Sequence, residues 1–326
     1  MTAATASPSR TGWNRWSRSG SPASTKPPLP APAEVGEQST SVPPLGPKMQ
    51  IARVALVMVF MMTLTMLLQL VLVGSLQQNS AQERKFDEFR SQLANGIVPI
   101  GPADNQNRAL AMGAPVAYLD IPSIDLRQVV VEGTTSGALL DGPGHRRDTP
   151  LPGQLGASVI MGRQASFGGP FARIGQLEAD DVITVTTGQG MFEYRVLGVR
   201  REGDLVPSPP APGAARLVLA TADGQPFLPE GILRVDAELA EGAVVGPARI
   251  YSAQNLPASE QMMAADTSTL WVLALWIQGL IMLSVGAVWA WHRWGRAQAW
   301  IVFFPPLLLV GLATSGEVAR LLPNLL

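Results

Sequence analysis

Few residues of this chain can act as a nucleophile or as a general base. The sequence has 326 residues, contains no cysteine and contains only two histidines, His145 and His292. A thiolate nucleophile, a disulfide framework and a cysteine-based zinc site are therefore excluded. Thr221 is the strongest hydroxyl candidate, but a threonine hydroxyl without a base beside it is a weak nucleophile. The residue types thus argue against covalent catalysis.

Motifs for other common chemistries are also absent from the sequence. We find no phosphate-binding loop, no glycine-rich dinucleotide motif and no cluster of histidine and acidic residues with metal-ligand spacing. No basic, aromatic surface for nucleic acid is evident. Asp180 and Asp181 precede a strand-like run and are typical of a solvated turn. We therefore predict no metal, no cofactor and no nucleic-acid partner.

Three apolar runs predict helices that cross a membrane. Residues 54–76 and 270–291 contain no charged residue, and each is long enough for a hydrocarbon core that needs about 20 helical residues. A third run, 297–315, is shorter and contains Pro305 and Pro306. Neighbouring helices can satisfy the carbonyls that proline frees, so we favour a kinked span there over a re-entrant loop.

The distribution of basic residues predicts which side of the membrane each segment occupies. Arginine and lysine outnumber acidic residues before the first span, and His292, Arg293 and Arg296 follow the second. Cytoplasmic segments carry the excess of basic residues. We therefore predict a cytoplasmic tail and a cytoplasmic turn at 292–297, with residues 80–265 and the C-terminus outside. A fifty-residue leader is too long for a cleaved signal peptide.

Between the first two spans the pattern changes to short β-like runs separated by glycine and proline. The runs 182–187 and 191–196, joined by Gly188-Gln-Gly190, indicate a hairpin. Further strand candidates are 116–121, 128–131, 158–161, 216–221 and 232–239. Such a series favours a closed barrel or a sandwich.

The composition divides the chain into seven segments. We predict a disordered tail (1–50), a transmembrane helix (51–76), a helical or flexible stalk (77–113), a β-domain (114–240), a linker (241–268) and two further transmembrane helices (269–291 and 297–315).

Six short motifs follow one another in the β-domain. They are Tyr118-Leu-Asp-Ile-Pro-Ser-Ile124, Val130-Val-Glu-Gly133, Asp141-Gly-Pro-Gly-His145, Thr149-Pro-Leu-Pro-Gly-Gln154, Ser158-Val-Ile-Met-Gly162 and Phe167-Gly-Gly-Pro-Phe171. In order and spacing this stretch resembles the sortase family, the membrane-anchored cysteine transpeptidases of Gram-positive bacteria, and within it the actinobacterial class E. The resemblance covers residues 114–240. It implies an all-β, eight-stranded sortase-like barrel in an otherwise α-helical transmembrane protein.

The resemblance fails at two positions that the family's chemistry needs. That chemistry requires a thiolate to attack the peptide carbonyl, an imidazole to handle the proton and a guanidinium to stabilise the oxyanion. Where the family has Gly-His-Arg, this chain reads Gly162-Arg-Gln164, so that Arg163 occupies the histidine position. Where the family has Leu-Val-Thr-Cys, it reads Leu219-Ala-Thr-Ala222, so that Ala222 occupies the cysteine position.

Three neighbouring residues remain candidates for binding. Arg234, about two positions late on the last predicted strand, is either a retained family arginine or a solvent-facing one. Arg163 keeps donors for carbonyl or carboxylate groups, and we expect Asp223 to bridge it across the former cleft. Thr221 and His145 occur in motifs that the family shares without catalytic use, which implies structural roles.

These features predict a sortase-fold pseudoenzyme in the cell membrane, with its barrel outside. Binding to a secreted-protein peptide, an active sortase or another envelope component is the first hypothesis, because recognition by a groove needs no nucleophile. A divergent transpeptidase or hydrolase with a non-cysteine site is the first alternative. A structural subunit of a membrane complex is the second. The lipid bilayer is a partner in each case.

Overall fold

The structure is a computed structural model that describes residues 47–103 and 108–326. Nearly all of the predicted tail over residues 1–50 lies outside the described residues. Residues Ile51–Leu326 form one compact unit.

Eight strands close into a barrel in the order β1-β2-β3-β4-β7-β8-β6-β5. They are β1 (Pro115–Ile121), β2 (Leu126–Glu132), β3 (Gly144–His145), β4 (Gly156–Met161), β5 (Val182–Thr187), β6 (Gly190–Arg200), β7 (Ala215–Gln225) and β8 (Leu228–Leu239). The pairs β2/β3 and β4/β7 are parallel, and the other pairs are antiparallel. The eight-stranded barrel implied by the resemblance is confirmed, and each strand candidate named above lies within one of these strands.

Alternating side chains fill the barrel. Inward positions on β5 and β6, such as Ile183 and Tyr194, are fully buried, whereas Glu193 and Arg195 face outward. Burying each large apolar side chain contributes roughly 1.5–3 kcal/mol. The predicted hairpin is confirmed, because β5 and β6 pair from Val182 opposite Arg195 to Thr187 opposite Gly190.

A continuous helix leads from the first apolar run onto the barrel. It consists of α1 (Pro47–Leu68), a π-helical turn (Gln69–Val73) and α2 (Gly74–Ala94). Both Leu68 and Gly74 have right-handed helical backbone angles, so the helix is not interrupted at either junction. The first part of the predicted stalk is therefore helical, and it packs on the barrel.

Two further helices follow the barrel: α3 (Leu270–Trp294) and α4 (Arg296–Arg320). Each has 25 residues and at about 1.5 Å per residue is long enough to cross a bilayer. Both are apolar enough to span a membrane by length and composition. α4 continues through Pro305 and Pro306 and ends at Arg320, beyond the predicted end at residue 315.

Candidate functional site

The two replaced positions lie side by side at the carboxyl ends of β4 and β7. These strands are parallel neighbours, with Met161 opposite Ala220. The Gly162 amide donates to the Ala220 carbonyl oxygen at 3.0 Å. Arg163, which follows Gly162, and Ala222, two residues beyond Ala220, are thereby placed at the same end of this strand pair. The strand register thus brings the two positions singled out by the resemblance close together.

The Thr221 hydroxyl is hydrogen-bonded to the backbone and is not free to react. The Thr221 side chain is buried, and its Oγ1 donates to the Gly162 carbonyl oxygen at 2.9 Å. Adjacent residues of a strand point to opposite faces, so Thr221 does not share the face of Ala222. The hydroxyl holds the β4–β7 junction together, as a structural role requires.

Arg163 is fully buried, with 0% of its surface exposed. Its Nη2 donates to the Ser136 carbonyl oxygen at 2.9 Å and to the Ser136 hydroxyl at 2.7 Å. Its Nη1 donates to Ser166 Oγ at 2.9 Å, and its Nε has no hydrogen-bond partner in the described part of the chain. Burial lowers the pKa of Arg163 to about 9. The guanidinium therefore stays charged at neutral pH although these partners are neutral.

The chain's own residues after α4 cover this site. Leu325 and Leu326 are buried in one apolar cluster with Ala222 and Met161. Met262 and Met263, from the segment before α3, pack on the same cluster. The groove through which the binding hypothesis has a partner recognised is filled by these residues in the structure.

Backbone hydrogen bonds hold this covering segment in place. The Gln164 amide donates to the Leu325 carbonyl oxygen at 2.9 Å. Arg163 Nη1 donates to the Leu326 carbonyl oxygen at 3.2 Å, and Ser166 Oγ donates to the same oxygen. Leu325 and Leu326 therefore contact the site through their main-chain carbonyl oxygens as well as through their side chains.

Asn324 adds a second anchor beside the two leucines. Its side-chain amide donates to the Thr134 carbonyl oxygen at 2.7 Å and to the Gln261 carbonyl oxygen at 2.8 Å. Its backbone amide donates to the Ala264 carbonyl oxygen at 2.9 Å. Asn324 is fully buried. It links the covering segment to both the barrel and the segment before α3.

That segment before α3 is itself fastened to the barrel. Glu260 is fully buried and forms a bidentate ion pair with Arg147. Arg147 Nε donates to Glu260 Oε2 at 2.9 Å, and Arg147 Nη2 donates to Glu260 Oε1. The Thr134 hydroxyl donates to the Glu260 carbonyl oxygen at 2.8 Å. Part of the predicted linker over 241–268 therefore packs on the barrel.

The expected bridge between Arg163 and Asp223 is wrong. Asp223 pairs instead with Arg201, whose Nε lies 3.3 Å from Asp223 Oδ2. Ala222 faces the covered site, and the next residue of the strand points to the opposite face. Asp223 therefore cannot share the site of Arg163.

Arg234 lies on β8 opposite Ala220, and its Nη2 is 3.6 Å from Met262 Sδ. It lines an open pocket of about 440 Å³ together with Arg200 and Arg201. Burial, followed by the charge of Arg200, lowers the pKa of Arg234. Arg234 therefore reaches the edge of the covered site from the side of Met262.

The two histidines have no contact with this site. His145 is buried, with Nδ1 2.9 Å from Glu132 Oε2 and Nε2 3.0 Å from the Pro150 carbonyl oxygen. Burial by itself lowers the pKa of His145, but Glu132, the Pro150 carbonyl oxygen and Asp148 together outweigh it and the pKa is raised. His292 is exposed in the last turn of α3. Within the described ranges, no three histidine or acidic residues are grouped so that they could hold a metal ion.

The sequence did not point to several residues that build the site. Ser166 follows Arg163 by three positions and could have been found as a local partner, whereas Ser136 contacts Arg163 from a distant segment. Asn324 and the two leucines after it carry no motif that predicts a return to the barrel. Only the path of α4 brings them there.

Comparison with known proteins identifies the barrel. A sequence profile described as a sortase domain matches residues 119–227. Sortase D of Bacillus subtilis (strain 168) is 32% identical over 85 residues, which make up 26% of this chain and 41% of sortase D. The match thus spans about two fifths of that relative's length.

Solved sortase structures are also similar to this chain. A sortase D5 transpeptidase from Clostridium perfringens has 21% sequence identity and a TM-score of 0.42, with 50% of this chain and 99% of that chain covered. Sortase E1 from Streptomyces coelicolor, with a tripeptide in the active site, has 23% identity and a TM-score of 0.35, with 41% of this chain and 92% of that chain covered. On the evidence of the profile match and the sequence relative, residues 119–227 of this cysteine-free chain form a sortase-like domain.

Proposed function

We propose that this protein is a membrane-anchored sortase homologue without transpeptidase activity, which binds a peptide segment of an envelope partner outside the membrane. The observation that carries the proposal is the pair of side chains at the ends of β4 and β7. Ala222 offers a methyl group where the family has a sulfur atom. No thioacyl bond to a substrate carbonyl can form there at any pH.

The guanidinium of Arg163 does not restore the missing chemistry. A charged guanidinium has no acceptor site and cannot take a proton at neutral pH. Thr221, the remaining hydroxyl candidate, donates to the Gly162 carbonyl oxygen and is buried. Both observations count against a divergent enzyme that uses this site.

The same residues are suited to holding a peptide. Gln164 presents a backbone N–H and Arg163 presents guanidinium donors, and both point at main-chain carbonyl oxygens in the structure. Ala222 and Met161 supply an apolar floor. Backbone donors beside apolar pockets are the usual means of recognising an extended peptide. Arg234 is a candidate for a contact at the rim.

The arrangement of the helices supports an external position for the barrel. α2 packs on β2, and the Asp266 amide, just before α3, donates to the carbonyl oxygen of Arg320 at the end of α4 at 3.2 Å. The segment before α3 and the end of α4 are thus together. His292, Arg293 and Arg296 lie at the junction of α3 and α4, where basic residues favour the cytoplasm.

The test is an activity assay on the full chain in detergent. The wild-type protein, Ala222→Cys and the double variant Ala222→Cys/Arg163→His are incubated with a library of sorting-signal peptides and an amine acceptor, and products are read by mass. We expect no product from the first two proteins. We expect at most slow hydrolysis from the double variant, which regains a nucleophile and a base.

Sequence-specific cleavage by purified wild-type protein that disappears with Thr221→Ala would refute the proposal. Binding is tested separately by a pull-down from membranes. There we expect Arg163→Ala to leave the fold intact and to weaken capture of the partner.

A structural role in a membrane complex is the second candidate function. Large apolar side chains of α3 and α4 are exposed, including Trp271 at 68% and Ile301 at 75%. Lipid alone can cover such faces. Co-purification from detergent of a stoichiometric membrane partner that survives Arg163→Ala would favour this candidate over peptide binding.

A further inference from the structure

We infer that residues 322–326 are an internal ligand of the former sortase cleft, so that the protein holds its own binding site closed. This inference rests on the proposed binding role, because it names the occupant of the same site and the way in which access is controlled. The occupant is the segment Leu322-Pro-Asn-Leu-Leu326, which follows α4.

The segment is bound as a peptide ligand is bound. Donors from the site bind its main-chain carbonyl oxygens. The Gln164 amide donates to the Leu325 carbonyl oxygen at 2.9 Å, and Arg163 Nη1 donates to the Leu326 carbonyl oxygen at 3.2 Å. The Ser136 hydroxyl lies 3.2 Å from the Leu322 carbonyl oxygen. Carbonyl recognition of this kind does not depend on which side chains the peptide carries.

The side chains of the segment supply selectivity. Leu325 is fully buried and Leu326 almost so, against Ala222 and Ala220. Both alanines are small, which leaves room for the leucines above them. Asn324 uses both amide hydrogens on carbonyl oxygens of Thr134 and Gln261. The ligand class that fits is therefore a short apolar peptide with asparagine followed by two leucines.

Arg163 is tied to the segment in the closed state. It is fully buried, and it donates to Ser136, Ser166 and the Leu326 main-chain oxygen. Its Nε is unbonded within the described residues. A buried guanidinium is stable only while its donors are paired. Withdrawal of the segment would replace the bond to Leu326 by water at Arg163 and would expose the two buried leucines.

Helix α4 connects this site to the membrane segments. The segment follows Arg320, the last residue of α4. Ala319 and the partly buried Leu322 pack with Phe167 and Leu70, and Leu70 belongs to the π-helical turn after α1. A displacement of α4 therefore pulls on the occupant of the site.

A single cysteine at the site can report its opening, because the chain has no other cysteine. Ala222→Cys is introduced into the full chain in detergent micelles, with and without Leu325→Ala/Leu326→Ala, and the rate of modification by a thiol reagent is measured. We expect modification at least tenfold faster in the leucine-substituted background. Met191→Cys, on the far hairpin at a position that is 74% exposed, is the matched control and should react equally fast in both backgrounds.

A peptide arm tests whether the segment is a ligand or ordinary core packing. An amidated peptide with the sequence of residues 322–326 is added to the leucine-substituted Ala222→Cys protein. We expect it to slow the modification towards the original rate, whereas the same peptide with aspartate at the positions of Leu325 and Leu326 should have no effect. If the double substitution prevents folding, Asn324→Ala removes two hydrogen bonds while keeping both leucines and serves in its place.

Two outcomes would overturn the inference. One is equal modification of Ala222→Cys with and without the leucines. The other is faster modification that the peptide does not slow, which would mean that the segment is structural packing. Neither outcome depends on the peptide-cleavage assay, so a failure here is distinguishable from a failure of the proposed lack of transpeptidase activity.

Discussion

At the scale of single residues, the site at the ends of β4 and β7 combines hydrogen-bond donors with apolar side chains. A methyl group stands at position 222, and a guanidinium that is charged at neutral pH stands at position 163. Neither group can exchange a proton or form a covalent bond with a carbonyl near neutral pH. Beside them, the Ser136 hydroxyl and the Gln164 backbone amide donate to the carbonyl oxygens of Leu322 and Leu325.

A prediction at this scale concerns His145. Glu132 raises its pKa against the opposing effect of burial. A group whose folded-state pKa lies above its unfolded value, about 6.5 for histidine, contributes stability below that value and loses it as the pH rises through the folded-state pKa. We therefore expect the free energy of unfolding of the full chain in detergent to fall above about pH 6.5, by roughly 1.4 kcal/mol for each unit by which the pKa is raised.

Chemical unfolding followed between pH 5.5 and 9 is the measurement. The variant His145→Gln is the control, and it should be less stable at pH 6 and should lose this pH dependence. A wild-type protein whose stability rises over the same range would contradict the assignment of a charged His145–Glu132 pair.

At the scale of elements, α2 acts as a clamp on the edge of β2. Gln82 Oε1 accepts from the Val129 amide at 2.7 Å, and Gln82 Nε2 donates to the carbonyl oxygens of Val129 and Asp141 at 3.1 and 2.7 Å. β3 pairs only with Val131 and Glu132 of β2. The side-chain amide therefore covers an edge that an adjoining strand would otherwise occupy.

We expect Gln82→Ala to destabilise the protein by about 1–3 kcal/mol, because it leaves a buried backbone amide without a partner. Hydrogen exchange at the Val129 amide should accelerate. Gln77→Ala, at an exposed position five residues earlier on α2, is the matched control with little expected effect. Equal stability of the two variants would show that α2 does not clamp the barrel.

At the scale of the whole molecule, the prediction is the topology. An impermeant thiol reagent applied to intact cells should label Met191→Cys in the barrel and Ala265→Cys before α3, both exposed positions. It should label His292→Cys at the end of α3 only after the membrane is made permeable, since the basic turn is predicted to be cytoplasmic. Labelling of His292→Cys in intact cells, or none at Met191→Cys, would reverse the assignment.

The sequence was most informative where neighbours along the chain decide the structure. The alternation of residues 182–187 and 191–196 was sufficient for the β5–β6 hairpin, and the barrel followed from the ordered motifs. It was less informative for Asp223 and the stalk. Opposite charge suggested the wrong partner for Asp223, because strand alternation and the Arg201 side chain decide that pair. Composition could not choose between a flexible stalk and a helix that docks through Gln82.

The sequence by itself determined that this chain has no cysteine, that arginine and alanine stand where the resemblance places histidine and cysteine, and that long apolar runs flank the predicted β-domain. Only the tertiary structure decided what fills the space beside those positions. Arg163 and Leu326 are 163 positions apart in the chain. No local pattern relates them, because their contact requires the barrel to close, α3 and α4 to run out and back, and the end of α4 to reach the carboxyl ends of β4 and β7.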